Sequence, residues 1–174
     1  MQVEINPSEY TVLIVDDTIA NVLLLKVLIG NQKYRIVTAN NGMEALQAVE
    51  KESPDLILLD IMMPGMNGYE VAEKLKADPQ TQEIPIIFLT ALNSTSDIVK
   101  GFKTGASDYI SKPFNKEELL IRVTHQISLI AAKRLIASQM KELQSTIRGR
   151  DRLYSVIAHA LRSPMGSLKM IFNL

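Results

Sequence analysis

Three continuous apolar runs, separated by amphipathic segments, organise the first two thirds of the chain. They cover residues 11–17 (TVLIVDD), 55–60 (DLILLD) and 84–90 (IPIIFLT), and they are rich in Val, Ile and Leu without polar alternation. Such runs are typical of strands that are buried on both faces of a parallel sheet. Two weaker runs, at 35–39 (RIVTA) and 107–112 (SDYISK), bring the number of predicted strands to five.

Helical patterns lie between these strands, at residues 19–30, 43–52, 69–77 and about 95–104, and turn signals rich in Gly, Pro and Asn separate the elements. A regular alternation of strand and helix predicts the α/β class, here a five-stranded, doubly wound parallel sheet. Right-handed crossovers then place the carboxyl ends of all strands at one edge of the sheet.

The pattern changes after Asn115 to that of one long helix. Residues 116–162 contain no proline and a single glycine, Gly149. A heptad pattern runs through two seams, which are Leu129, Ile136, Leu143, Arg150 and Ile157, and Lys133, Met140, Ile147, Tyr154 and Leu161. Because most of these positions are apolar, the pattern favours a dimerising coiled coil over an amphipathic helix that folds back on the domain.

Composition narrows the class of protein. The 174 residues include no cysteine, which excludes disulfides and thiolate metal sites. The chain lacks a signal-peptide pattern and an apolar run long enough to cross a membrane, so we expect a soluble cytoplasmic protein without a membrane segment.

The formal net charge of zero hides an asymmetry along the chain. Residues 1–125 hold 11 Lys and Arg against 17 Asp and Glu, whereas residues 126–174 hold 8 basic and 2 acidic residues. Although a basic tail can indicate nucleic-acid binding, these charges are interleaved with the heptads, so we expect no nucleic-acid partner.

Polar residues follow the predicted strands at their carboxyl ends. Asp16 and Asp17 end the first strand, Asp60 the third, Thr90 the fourth and Lys112 the fifth. Open α/β sheets bind ligands at this edge, and carboxylates that meet there repel one another unless a cation joins them. Oxygen ligands without His or Cys favour Mg²⁺. The lysine and the threonine hydroxyl would then face the oxygens of a phosphoryl group.

These motifs resemble the response-regulator receiver (CheY-like) domain of two-component signalling. The sequences IVDD, LLDIMMPGMNG, FLTA and YISKPF occur in the family's order with gaps of the right size, across about residues 8–125. The resemblance implies a flavodoxin-like fold and a phosphorelay function, in which the domain accepts a phosphoryl group from a phosphohistidine with Mg²⁺ as cofactor. It also implies a histidine kinase or a histidine phosphotransfer protein as partner.

The resemblance further implies a role for each site residue. Asp60 is the expected phosphoacceptor, which forms an acyl phosphate. Asp17, Asp60 and the backbone carbonyl of Met62 would ligate Mg²⁺, with Asp16 acting through a water molecule. Lys112 would pair with the phosphoryl oxygens.

Four further positions complete the expected machinery. The Thr90 hydroxyl and the Ala91 backbone N–H would also donate to the phosphoryl oxygens, and the Lys112–Pro113 peptide bond would be cis. Tyr109 would be the switch aromatic, turning inward when Thr90 moves toward the phosphate. This movement would alter the surface formed by the last strand and the helices on either side of it.

Two flanking positions suggest how long the phosphorylated state lasts. In the family, the residue two beyond the phosphoacceptor and the residue two beyond the threonine tune hydrolysis. Here they are Met62 and Leu92, which are apolar and cannot orient an attacking water by hydrogen bonding. We therefore expect slow autodephosphorylation.

Other classes fit the sequence less well. A haloacid-dehalogenase-type phosphatase needs Asp-x-Asp on its first strand, but Asp16 and Asp17 are adjacent and Thr18 follows them. No phosphate-cradling glycine loop of the nucleotidase type occurs. No helix-turn-helix signal for DNA binding is present in the tail.

Residues 151–174 resemble the first helix of a histidine-kinase dimerisation domain around its phosphoacceptor histidine. His159, Leu161, Arg162, Ser163 and Pro164 carry this resemblance. Ala160 departs from the family, which usually has an acidic residue directly after the histidine. The ATP-binding domain of such a kinase is absent from this sequence, so we expect no autonomous kinase activity.

The sequence therefore predicts a receiver domain at 8–125, a coiled-coil linker at 126–150 and a partial phosphoacceptor helix at 151–174. Two hypotheses remain open. The chain is a receiver that signals through a homodimeric helix, or it is the N-terminal piece of a hybrid histidine kinase whose catalytic domain follows residue 174. Both hypotheses leave the phosphorylation of His159 open.

Overall fold

The protein is known from a computed structural model that describes residues 5–91, 99, 101 and 103–171, with side chains described up to residue 159. Leu92 and most of the helix expected at about 95–104 lie outside the described residues. The chain divides into two compact units, Met1–Ala131 and Ala132–Leu174.

The first unit contains the predicted parallel sheet. Its strands are β1 (Thr11–Val15), β2 (Arg35–Ala39), β3 (Leu56–Asp60), β4 (Ile86–Thr90) and β5 (Asp108–Ser111). Every neighbouring pair is parallel, and the order is β2-β1-β3-β4-β5. The α/β fold class, the doubly wound sheet and the long helical extension are therefore confirmed.

Two of the three α-helices described between the strands begin at an asparagine whose side chain caps them. A short 3₁₀ turn (Pro7–Glu9) precedes β1, and α1 (Ile19–Gly30), α2 (Gly42–Glu52) and α3 (Gly68–Ala77) follow. The side chains of Asn41 and Asn67 accept hydrogen bonds from the backbone N–H groups of Glu44 and Glu70, which otherwise have no partner within the helix.

Side chains of the central strands alternate between two apolar clusters. Val12 and Ile14 of β1 point to the cluster that contains buried residues of α1 and of the helix after β5. Leu13 and Val15 point to the cluster that contains buried residues of α2 and α3. All five positions of β1, β3 and β4 are buried, which explains why these strands are apolar without alternation.

A C-terminal helix runs from Lys116 to Ile171. Its first turns belong to the first unit, where Leu119, Val123 and Ile127 are fully buried in the core. Within the described residues, no helix has an apolar stretch long enough to span a membrane.

Candidate functional site

The first strand ends two residues before the end of the run at 11–17, so Asp16 and Asp17 lie in the turn that follows it. β1 stops at Val15, and the backbone of Asp16 makes one more bond, from its N–H to the carbonyl of Ala39 at 3.3 Å. The chain then turns, because the N–H of Thr18 donates to Asp16 Oδ1 at 2.9 Å. As a result, Asp16 is fully buried whereas Asp17 is exposed.

A lysine from the other end of the domain lies between two of the carboxylates. Lys112 Nζ is 2.7 Å from Asp16 Oδ2 and 3.1 Å from Asp60 Oδ2. Asp60 is the last residue of β3 and is 3% exposed. Asp16, Asp17 and Asp60 each offer a carboxylate oxygen within 4.8 Å of the others, so the structure brings together the three acids that the sequence placed at one edge.

The electrostatics of this cluster favour a charged lysine and disfavour a charged Asp60. Burial raises the pKa of Asp60 above its usual value, and the hydrogen bond and charge of Lys112 offset this only in part. For Lys112, burial alone lowers the pKa, but the hydrogen bonds to Asp16 and Asp60 outweigh it and the pKa lies above its usual value. The single ammonium therefore remains protonated at neutral pH beside several carboxylates.

Asn21 is a site residue that the sequence analysis did not identify. Its side-chain amide donates to both oxygens of Asp16, at 3.0 and 3.1 Å. With Thr18 and Lys112 as further donors, Asp16 is held in one orientation. The sequence does single this residue out, because Asn21 is one of only two strongly polar side chains in the otherwise apolar α1 and lies in its first turn, shortly after Asp16 and Asp17.

The remaining predicted residues surround Asp60. The backbone N–H of Met62 donates to Asp60 Oδ1 at 3.3 Å, while the Met62 side chain is 63% exposed. Thr90 ends β4 and is buried, and its carbonyl accepts from the N–H of Lys112 at 2.8 Å. Ala91, directly after it, is exposed.

The loop after β3 is held close to the site by a glycine. A Cβ on Gly68 would lie 2.3 Å from the carbonyl oxygen of Asp60 and 2.8 Å from Ile61 Cα. The N–H of Gly68 also donates to the carbonyl of Ile61 at 2.9 Å. Gly68 is thus required by close backbone approach rather than by a turn, whereas Gly65 has a φ of +79° as a turn glycine does.

Of the remaining predicted residues, Tyr109 and Pro113 lie on or just after β5, and His159 lies on the C-terminal helix. Tyr109 is partly buried on β5, next to Phe88 of β4 in the sheet register. The Lys112–Pro113 peptide bond is cis. His159 belongs to the second unit, where its side chain is exposed on the C-terminal helix.

A parallel sheet in this order, with polar residues gathered at its carboxyl edge, is typical of the flavodoxin-like class of α/β proteins. Within that class the chain belongs to the response regulator receiver domain family, whose sequence model matches residues 12–124. It is therefore a receiver domain of two-component phosphorelay signalling. Members of this family interact with histidine kinases or phosphotransfer proteins.

The chain matches only part of the length of its curated relatives. The chain is 45% identical over 112 residues to the response regulator PleD of Caulobacter vibrioides, which is 64% of this chain and 25% of that protein. It is 37% identical over 160 residues to a Vibrio cholerae protein named "Probable cyclic di-GMP phosphodiesterase", which is 90% of this chain and 36% of that protein. The chain thus spans about a quarter to a third of the length of these relatives.

Solved structures are similar over about two thirds of the chain. The chemotaxis protein CheY4 of Vibrio cholerae has a TM-score of 0.63 and 31% identity, covering 68% of this chain and 98% of that chain. The signal receiver domain of a signal transduction histidine kinase from Syntrophus aciditrophicus has a TM-score of 0.64 and 34% identity, covering 68% and 90%.

Proposed function

We propose that this chain accepts a phosphoryl group on the side chain of Asp60. The observation that carries the proposal is the environment of this carboxylate at the carboxyl edge of the sheet. One oxygen of Asp60 contacts Lys112 at 3.1 Å and the other accepts from the N–H of Met62 at 3.3 Å. A carboxylate held at both oxygens, inside a cluster of acids, is suited to attack on phosphorus rather than to proton transfer alone.

In this step a carboxylate oxygen of Asp60 attacks the phosphorus of a phosphohistidine in a partner protein. The new P–O bond forms as the P–N bond breaks, and the departing imidazole nitrogen takes a proton. Lys112 then pairs with a phosphoryl oxygen, and the Thr90 hydroxyl and the Ala91 N–H donate to the others. These donors stabilise the charge that develops on the phosphoryl oxygens.

The acidic cluster fits a magnesium ion. All of its donors are carboxylate oxygens, which a hard divalent cation prefers, and one lysine leaves most of their negative charge unbalanced. Asp17 and Asp60 would hold the ion together with the carbonyl of Met62. Asp16 would act through water, because its two oxygens accept four hydrogen bonds, whereas each oxygen of Asp60 has one contact among the described residues. When bound, Mg²⁺ would polarise the phosphoryl oxygens and offset their charge.

We infer that the phosphorylated state is long-lived. The side chain of Met62 is 63% exposed beside Asp60 and offers no hydrogen bond that would orient water for attack on the acyl phosphate. Leu92, the second position that tunes hydrolysis in receivers, is also apolar, and it lies outside the described residues.

Tyr109 and Thr90 form the proposed switch. Thr90 ends β4 in register with Ser111 of the neighbouring β5, and Tyr109 lies two residues before Ser111. A movement of Thr90 toward the phosphoryl group would leave space into which the Tyr109 ring can turn. The two orientations of the ring would then be the states that phosphorylation selects.

A homodimer through the C-terminal helix is the proposed output. The apolar seam side chains whose burial is described are all exposed in the single chain, by 42–63%, and they are Leu129, Ile136, Met140, Leu143, Ile147, Tyr154 and Ile157. A helix that exposes an apolar heptad stripe over this length is typically covered by a second helix. Because a second copy of the chain carries the same stripe, a two-stranded coiled coil would bury the apolar stripes of both helices.

The alternative role is that of a segment of a hybrid histidine kinase. It is favoured by the exposed His159, with the kinase-like sequence after it, and by the similar receiver that a histidine kinase of Syntrophus aciditrophicus contains. The longer match to the Vibrio cholerae phosphodiesterase weighs against this role, because it includes part of the helical extension and that protein is not named a kinase. In either role Asp60 remains the acceptor.

The test is labelling with ³²P-acetyl phosphate and Mg²⁺. We expect the full chain to incorporate one acid-stable, hydroxylamine-sensitive phosphoryl group, and Asp60→Asn to incorporate none. Asp55→Asn is the control, because Asp55 precedes the same strand and accepts from the N–H of Thr11 far from the carboxyl edge. Persistent labelling of Asp60→Asn, or none of the folded wild type, would contradict the proposal. His159→Ala should keep this acid-stable label, and a second, acid-labile label that is lost in His159→Ala would assign additional phosphate to the tail.

A further inference from the structure

Arg122, in the second turn of the C-terminal helix, makes three contacts at one edge of the sheet. Its Nη1 is 2.7 Å from Asp108 Oδ1, and its Nε is 3.0 Å from Glu118 Oε1. Its guanidinium also lies over the ring of Tyr109, at 5.5 Å from the ring centroid. Because two carboxylates orient it, the guanidinium is fixed where it meets the ring.

These contacts connect the two faces of the sheet. The helix that carries Arg122 packs through Leu119 and Val123 on one apolar cluster, whereas Tyr109 packs against the other. β5 is an edge strand: β4 pairs with one side of it, and no strand of the described residues pairs with the other. The Arg122 side chain therefore passes the edge of the sheet to reach an aromatic ring on the opposite face.

The anchor of Arg122 lies on the same strand as Tyr109. Asp108 Oδ1 accepts from Arg122 and also from the backbone N–H of Tyr109, at 2.8 Å. The position of the guanidinium is consequently set relative to the Tyr109 backbone and not by the helix alone. If the ring turned away, Arg122 would keep its ion pairs with Asp108 and Glu118 and would lose only its contact with the Tyr109 ring.

We propose that Arg122 is a positioning residue that holds the Tyr109 ring in its present orientation and reports that orientation to the C-terminal helix. This inference rests on the proposed role of Tyr109 as the switch. It adds a specific connection between the phosphoacceptor edge of the sheet and the helix that carries the heptad seam.

The strength of the cation–π contact between Arg122 and Tyr109 determines how far its loss shifts the orientation equilibrium of the ring. A partly exposed cation–π contact biases an equilibrium by roughly two- to five-fold. Removing the guanidinium should therefore shift the Tyr109 ring toward its inward orientation by that factor in the unphosphorylated protein. By thermodynamic reciprocity, the same factor should appear as tighter binding of a phosphoryl analogue.

The experiment uses the full chain labelled with 3-fluorotyrosine. The protein has five tyrosines and no tryptophan, and Tyr109→Phe assigns the Tyr109 fluorine resonance. The resonance is recorded without ligand and during titration with beryllofluoride and Mg²⁺. For Arg122→Gln we expect the ligand-free resonance to move toward the beryllofluoride-saturated position and the apparent affinity for beryllofluoride to rise roughly two- to five-fold. Arg122→Lys, which keeps the charge, should lie between Arg122→Gln and the wild type.

Arg35→Gln is the matched control. Arg35 pairs with Glu52 on β2, the opposite edge strand, so its loss removes a similar ion pair remote from Tyr109. In this variant, the ligand-free Tyr109 resonance and the apparent affinity for beryllofluoride should equal those of the wild type. A wild-type resonance that beryllofluoride does not move would refute the Tyr109 switch itself. A resonance that moves in the wild type, with Arg122→Gln indistinguishable from Arg35→Gln, would refute the role of Arg122 alone.

Discussion

Replacing Lys112 with methionine removes the only cation that the described residues place among Asp16 and Asp60. Loss of one partner from a buried ion pair costs about 3–5 kcal/mol, because the remaining charges stay buried without compensation. Lys112 is 19% exposed and the two carboxylates are 0% and 4% exposed, so we take the lower end, about 3 kcal/mol. The pKa of Asp60 is already raised by burial, so without the lysine this carboxyl should gain a proton more readily.

The assay is urea unfolding followed by circular dichroism in buffer without divalent ions. With a typical urea dependence of about 2 kcal/mol per M, Lys112→Met should unfold at a urea concentration roughly 1.5 M lower than the wild type. Addition of Mg²⁺ should raise the midpoint more in the variant than in the wild type, because a divalent ion replaces the missing charge. Asp60→Asn in the Lys112→Met background should recover at least about 1 kcal/mol, since it removes one of the uncompensated carboxylates.

Lys51→Met controls for the loss of a lysine. Lys51 lies 3.9 Å from Glu52 and its side chain is 83% exposed, so its removal should change the free energy of unfolding by less than about 0.5 kcal/mol. If Lys112→Met unfolds at the wild-type midpoint without Mg²⁺, and Asp60→Asn gives no recovery, Lys112 does not hold the acidic pair together.

Three further substitutions address the loop, the phosphate lifetime and the helix. Gly68→Ala should cost about 2–3 kcal/mol and slow labelling of Asp60, because the added Cβ would lie 2.3 Å from the Asp60 carbonyl oxygen; urea unfolding and acetyl phosphate labelling measure the two effects. Met62→Asn should shorten the half-life of phospho-Asp60 roughly three- to ten-fold, since the amide can orient water, as measured by loss of ³²P in Mg²⁺ buffer. Ile136→Glu should weaken self-association at least about ten-fold in sedimentation experiments.

Each of these substitutions has a matched control. Gly149→Ala meets no atom within 4 Å and should stabilise its helix by about 0.5–1 kcal/mol. Met43→Asn changes a methionine that is 58% exposed on α2 and should leave the phosphate half-life unchanged. Ser138→Glu adds the same charge on the face opposite the seam, where the side chain is exposed, and should leave association intact. Equal effects of a substitution and its control would contradict the corresponding argument.

Most of the fold could be predicted from local pattern. RIVTA at 35–39 and the helix at 19–30 have the predicted bounds. The first strand was predicted too long, because Asp16 and Asp17 follow the apolar run without a break while the turn is made by a side-chain hydrogen bond. Leu92 and the helix expected at about 95–104 lie outside the described residues.

The candidate site was predictable in membership but not in its contacts. The carboxyl ends of parallel strands meet at one edge of the sheet irrespective of side-chain conformation. The sequence therefore predicts that Asp16, Asp60 and Lys112 lie at the same edge. That Lys112 contacts Asp16 at 2.7 Å and Asp60 at 3.1 Å depends on rotamers and on neighbours distant in sequence. The binding of Asp16 by Asn21 depends in the same way on how α1 packs.

The parallel sheet, the edge at which the acids meet and the apolar heptads of the C-terminal helix all follow from the amino-acid pattern, because each is a periodic or topological property of the chain. Two features depend on how the elements pack in three dimensions. One is the exposed face of the apolar α1, with Ile19, Leu23 and Val27 on the surface, and the other is the contact of Arg122 with the Tyr109 ring. Periodicity identifies the residues that share a face, but the packing of several elements at once determines what that face contacts.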